Sequence, residues 1–105
     1  GPGTPQPTPQ PLKITLDVSD ATPLAGKRVR VFGVVRPAHD GRKLLIQKRL
    51  RGGKFKTIAS TRLHAAPGDK STYGVRLRVS ADTVLRARLD TGLSKGRKLD
   101  VHGPA

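Results

Sequence analysis

Three segments of the chain alternate, residue by residue, between an aliphatic side chain and a neighbour that is most often arginine. They are Arg28-Val29-Arg30-Val31, Tyr73-Gly74-Val75-Arg76-Leu77-Arg78-Val79 and Leu85-Arg86-Ala87-Arg88-Leu89. A period of two is that of a strand, whose successive side chains point to opposite faces of a sheet. One face is then buried and the other wet, the pattern of antiparallel sheets packed on a single core. The wet face is strongly basic.

Strand signals of this kind recur along the chain. Leu12, Ile14, Leu16 and Val18 alternate with polar residues and end at Ser19-Asp20, and Thr22-Pro23-Leu24-Ala25-Gly26 reads as a turn. Lys27 to Arg36 places Val29, Val31, Gly33 and Val35 on one face, and His39-Asp40-Gly41 turns the chain through an Asp-Gly pair. Lys43 to Arg49 directs Leu44 and Ile46 inward, followed by a turn at Arg51-Gly52-Gly53 and a short strand over Phe55 to Ser60. Thr61 to Ser71 reads as an irregular connection. Thr72 to Val79, Val84 to Leu89 and Lys98 to Val101 complete the set. Seven short strands with turn signals between them, and no helical period, predict an all-β, seven-stranded antiparallel sandwich rather than a βα fold or a closed barrel.

The chain has 105 residues, enough for one domain. The first eleven, Gly-Pro-Gly-Thr-Pro-Gln-Pro-Thr-Pro-Gln-Pro, carry five of the nine prolines and no charged side chain. That composition is a stiff, extended linker. The expected organisation is a linker over 1–11, a sandwich over 12–102 and a tail over 103–105. Gly1-Pro2 carries no inference, and the chain is expected to be a mature or excised piece of a longer protein. No cysteine is present, so the fold rests on its apolar core without disulfides or thiolate metal sites. Asn is absent too, which removes N-glycosylation. Apolar runs such as Leu44-Leu45-Ile46 are far too short to span a membrane.

The order Val31-x-Gly33-x-Val35-x-Pro37, then Gly41 before Leu44-Leu45-Ile46-Gln47, then Gly52-Gly53-Lys54-Phe55, resembles the bacterial immunoglobulin-like repeats of actinobacterial-type surface and secreted proteins. Tyr73-Gly74-Val75 and Leu85-Arg86-Ala87 match that family's later strands, and Ser94 to Val101 its closing strand. The resemblance covers roughly residues 12 to 102. It implies an immunoglobulin-like Greek-key sandwich serving as a spacer, stalk or adhesive module, extracellular or at the cell surface, beside neighbouring modules of the same protein. Some members instead accompany a catalytic domain as accessory units. Two positions depart from the family: Leu85 stands where a tyrosine is usual, and Phe55 where the hairpin commonly has tryptophan.

Little in the sequence points to catalysis. The seven acids are all aspartates, and Asp20, Asp40, Asp69, Asp82 and Asp90 sit in or beside predicted turns, where such side chains cap their own backbone. His39, His64 and His102 lack a serine or aspartate partner at a diagnostic spacing. Asp17-Val18-Ser19-Asp20 is the one tight acidic pair, but calcium needs six to eight oxygens and the surrounding charge opposes a dication. A Lys–Asp isopeptide crosslink needs a buried lysine, and no lysine stands at an inward position. No catalytic residue, metal site or cofactor is expected.

The basic surface carries the functional expectation. Twenty-one Lys and Arg against seven acids give a formal charge of +14. With Val29, Val31, Val75 and Leu77 inward, Arg28, Arg30, Arg76 and Arg78 face outward from neighbouring strands of one sheet and form the candidate polyanion-binding site. Arg86, Arg88 and Lys98 decorate the opposite sheet beside Lys43 and Leu45. Arginine forks match phosphate, sulfate and carboxylate, so an anionic wall polymer or glycan is the expected partner. The competing reading is a solvated face that keeps sheet edges from aggregating. Nucleic acid is expected to bind only non-specifically, since one Tyr and two Phe make no stacking platform. Phe32 and Val34 fall out of phase with the core and are expected to form a small apolar patch with Leu45 or Leu12. Beside the structural-module reading stand an accessory module of an extracellular enzyme and a nucleic-acid-binding barrel.

Overall fold

A computed structural model describes residues 11–50 and 52–103. The expected linker lies outside the described residues except for Pro11, as do the last two residues of the tail. Among the described residues ten strands, rather than the expected seven, follow in order: β1 (Lys13–Ile14), β2 (Asp17–Val18), β3 (Lys27–Arg36), β4 (Lys43–Leu50), β5 (Lys56–Arg62), β6 (His64–Ala66), β7 (Lys70–Val79), β8 (Thr83–Leu89), β9 (Gly92–Leu93) and β10 (Arg97–Leu99). They form two antiparallel sheets. In the first, β3 and β7 are central, flanked by β1 and β2 on one edge and β6 on the other. In the second, β8 and β4 are central, flanked by β9 and β10 on one edge and β5 on the other.

The sheets face each other across one core. Ile14, Val29, Val31, Val35, Tyr73 and Val79 come from the first sheet, and Leu44, Ile46, Leu85, Ala87, Leu89 and Leu99 from the second. Leu63, between β5 and β6, is buried where the chain passes from one sheet to the other. The inward positions of β3 and β4 are those the alternation predicts. The sheets remain an open sandwich, which removes the architecture of the closed-barrel reading.

Three local expectations are corrected. The strand over Leu12 to Val18 divides at Thr15-Leu16. Thr15 turns its carbonyl to the Tyr73 hydroxyl (2.6 Å), and its own Oγ1 accepts the Val34 N–H (2.9 Å) in place of that carbonyl. The connection over Thr61 to Ser71 is not irregular: β5 runs on to Arg62, and β6 pairs His64 with Thr72 and Ala66 with Lys70. The closing strand is Arg97–Leu99 rather than Lys98 to Val101. Its continuation leaves the sheet to run beside the β2–β3 loop, where Asp100 N–H bonds Ala21 C=O and His102 N–H bonds Pro23 C=O, each at 2.9 Å. The Asp40-Gly41 turn, with Gly41 at φ +79°, joins strands of different sheets, as the placement of Lys43 and Leu45 on the opposite sheet requires.

The aspartates do more than cap their own turns. Asp20 does cap locally, accepting from Thr22 N–H at 2.9 Å. Asp69 accepts from Ala38 N–H, 31 residues away, and Asp82 from Val101 N–H, 19 residues away. Asp40 accepts from the buried Ser71 hydroxyl, which in turn accepts the His39 N–H. These bonds tie loops at the ends of the sandwich to one another.

Candidate functional site

Register brings the four predicted arginines together. Across β3 and β7, Arg28 stands directly opposite Arg78 and Arg30 directly opposite Arg76, all exposed on the outer face of the first sheet. Backbone bonding fixes how close these pairs are. Arg30 donates its N–H to Ser19 Oγ (3.0 Å) and accepts at its C=O from Ser19 N–H (2.9 Å). Val34 does the same with Thr15, at 2.9 Å in both directions. The even-numbered residues of β3 therefore turn their backbone groups toward the β1–β2 edge and away from β7. The arginine pairs occupy the non-hydrogen-bonded sites of the ladder, the closer kind, with Cα atoms about 4.5 Å apart. Like charges directly opposite each other are destabilising there.

Little within the molecule offsets that repulsion. The ion pairs among the described residues are Arg42–Asp90 (2.8 Å) and Lys98–Asp100 (3.6 Å), both away from this face. Arg78 reaches the Gly26 carbonyl at 3.2 Å. Arg30 leans over Phe32, its guanidinium carbon 5.2 Å from the ring centroid. Gly74, the partner of Phe32, makes room: Arg30 Nε and Nη2 pass 3.9 Å from where a Cβ would stand on it. Asp17, opposite Phe32 on β2, is the one acid in the strands of this face. Lys13 opposite Arg36 adds a further positive pair at the other end.

The second sheet treats its cations differently. Arg86 lies 3.8 Å from the centroid of Phe55, with Arg49 at 5.0 Å from the same ring. Arg86 Nε donates to Gln47 Oε1 (2.8 Å), and Gln47 Nε2 donates to Thr57 Oγ1 (3.2 Å). Arg88 Nε donates to Asp90 C=O at 2.8 Å. These cations are engaged in packing their own sheet, whereas Arg28 and Arg76 make no side-chain hydrogen bond among the described residues.

Phe32 and Val34 lie together on the outer face, as expected, but neither Leu12 nor Leu45 joins them in a patch. Phe32 is half-buried beneath Arg30, Leu12 packs against Gly92, and Leu45 sits on the far sheet opposite Arg88. Sequence reasoning missed Arg36 and Lys13 on this face, although Arg36 continues the even-numbered series of Arg28 and Arg30. It also missed Phe32 as a support for Arg30, a relationship of neighbours two apart on one strand face.

Among the described residues no group of three or more His, Cys, Asp or Glu converges on a metal position, and no helix is long and apolar enough to cross a membrane. Compared with protein-family models and with curated proteins, the sequence matches none.

Proposed function

We propose that the chain is a non-catalytic, immunoglobulin-like module of a cell-surface or secreted protein, whose β3–β7 face contacts an anionic polymer such as an acidic wall polymer or glycan. The observation carrying the anion reading is the two close arginine pairs, Arg28/Arg78 and Arg30/Arg76, set on an outer sheet face without carboxylate partners among the described residues. A phosphate, sulfate or carboxylate between opposed guanidiniums turns a repulsive pair into a two-sided clamp, with each fork offering paired donors. A linear polymer presents such groups repeatedly, matching two successive pairs along the strands.

What supports the immunoglobulin-like reading is connectivity. The order β1/β2-β3-β7-β6 against β9/β10-β8-β4-β5, with the chain changing sheets after β3, β5 and β7, is the pairing expected of such a Greek key. The Pro-rich segment ahead of the sandwich suits a module held at a distance from its neighbours.

The test is retention on immobilised heparin, poly(glycerol phosphate) and a neutral glucan at about 0.15 M salt, where screening reaches roughly 8 Å. The chain is expected to bind the two anionic supports and pass the neutral one. Replacing Arg28, Arg30, Arg76 and Arg78 by serine should abolish retention. Replacing the exposed Lys54, Lys56, Lys95 and Arg97 by serine removes the same charge elsewhere and should preserve most of it. Equal losses in the two variants would reduce the face to net charge.

A further inference from the structure

β7 is ten residues long, but its flanking strand β6 pairs only with Lys70, Ser71 and Thr72. Among the described residues the rest of that edge has no neighbour in the sheet. Because the even-numbered residues of β3 face away from β7, their partners Gly74, Arg76 and Arg78 likewise turn their N–H and C=O groups away from β3. Thr72, the next in that series, directs its own toward His64 of β6. Three successive sets of strand-pairing groups are thus left presented to solvent, and all three residues are exposed.

The side chains beside this edge are of two kinds. On the outer face stand Arg76 and Arg78. Toward the interior, Val75 and Leu77 are only half-buried, and an open groove of about 230 Å³ lies there, its apolar walls at Leu50, Ile58, Leu77 and Val79 and its cations at Lys48 and Arg78. Leu50 and Ile58 are 49% and 39% exposed, two of the four large exposed hydrophobics among the described residues. The groove lies where the inward side chains of one more strand would point.

We propose that the free edge of β7 accepts an extended acidic segment of a partner protein as an added strand, with alternate aliphatic side chains entering the Leu50–Ile58–Leu77 groove and alternate carboxylates meeting Arg76 and Arg78. Strand addition draws affinity from main-chain bonds and specificity from alternate side chains. The period of two forces the pattern: residues bonding to Gly74, Arg76 and Arg78 point outward beside the arginines, and those between point into the groove. Charge selects the occupant. A second copy would bring another +14 and its own Arg76 and Arg78 to the same edge, the arrangement by which edge strands resist self-pairing. An acidic strand meets no such barrier. This inference shares Arg76 and Arg78 with polymer binding, but it needs the backbone edge and the groove and not Arg28 or Arg30.

The experiment uses the full chain, an acetylated and amidated eight-residue peptide of alternating Asp and Val, and a control with four Asp followed by four Val. Amide exchange is followed by NMR at about 0.15 M salt. The alternating peptide should bind at least tenfold more tightly than the control and slow exchange at Gly74, Arg76 and Arg78. Val75 and Leu77, already bonded to β3, should change little. Gly74→Pro removes an edge-facing donor without touching the β3 ladder and should weaken peptide binding about tenfold. Ile58→Ser strips an apolar wall from the groove on another strand without changing the charge, and should weaken peptide binding about tenfold while leaving retention on heparin intact, even should the proline variant fail to fold. Equal affinity for the two peptides, unprotected edge amides, or parent-like binding by the folded variants overturns the proposal. Protection that appears with rising protein concentration and no peptide overturns it in favour of a second copy.

Discussion

Tyr73 passes beneath Gly33, its cross-strand partner, and delivers its hydroxyl to the Thr15 carbonyl at 2.6 Å, joining residues 58 apart in the chain. A Cβ on Gly33 would lie 2.1 Å from the Thr15 oxygen and 2.8 Å from the Tyr73 hydroxyl. The glycine is therefore required by close approach, and the hydrogen bond pins the edge at the interruption between β1 and β2.

Gly33→Ala is expected to destabilise the fold by about 1–3 kcal/mol, the usual cost of forcing an atom into a packed site. Tyr73→Phe keeps the ring but removes the bond, costing about 1 kcal/mol. Combining them should cost less than the sum, because the alanine already displaces the hydroxyl. Urea denaturation of the two single variants and the double variant checks this.

Burial, with the Asp17 carboxylate adding to it, pushes the Tyr73 hydroxyl well above its ordinary range. The neutral phenol is favoured in the folded state, so its contribution is fully present below about pH 10, where an unfolded tyrosine begins to ionise. Above that pH the unfolded chain binds fewer protons than the folded one, and stability falls as pH rises, by up to about 1.4 kcal/mol per unit. Tyr73→Phe should lack this component. Its deficit relative to the parent should shrink, then reverse, when unfolding is measured at increasing pH above 10.

How much could be read beforehand follows the physics of each element. Val29, Val31, Val35, Leu44 and Ile46 were legible because a strict period of two leaves one assignment of faces. The opposition of Arg28 with Arg78 and Arg30 with Arg76 was legible only as far as neighbouring strands, since register is set by turns and core fit. β6 was not: Leu63 is its one apolar neighbour, and His64-Ala65-Ala66 becomes a strand only by finding Lys70 to Thr72. The bare edge of β7 depends on the difference in length between β7 and β6, which no alternation records.

Ser71 is fully buried, donates to Asp40 and accepts from His39 N–H at 2.7 Å. Ser71→Ala leaves that amide without a partner and is expected to cost about 1–3 kcal/mol. The β3–β4 loop should loosen with it. Faster amide exchange at His39, beyond the change at core amides of β4, is the signature.

Phe55 and Gln47 hold Arg86 from two sides, and Gln47 is itself buried under that arrangement. Gln47→Leu removes the acceptor of Arg86 and the donor to Thr57 together, and is expected to cost about 1–3 kcal/mol despite the similar size. Phe55→Leu keeps the apolar cover and loses the cation–π contact, about 0.5–2 kcal/mol. Chemical denaturation of both variants separates hydrogen bonding from stacking.

The last expectation concerns Arg30 and Arg76, whose opposition at a close ladder site makes each unfavourable to the other. In a double-mutant cycle with serine at both positions, the coupling should be repulsive by a few tenths of a kcal/mol at low salt. Because both side chains are exposed, raising the ionic strength to about 1 M, where the screening length falls to roughly 3 Å, should erase it. A millimolar polyphosphate should instead change its sign, since an anion held between the two forks makes each arginine worth more in the presence of the other. If salt and polyphosphate act alike, the anion is screening the pair and not bridging it.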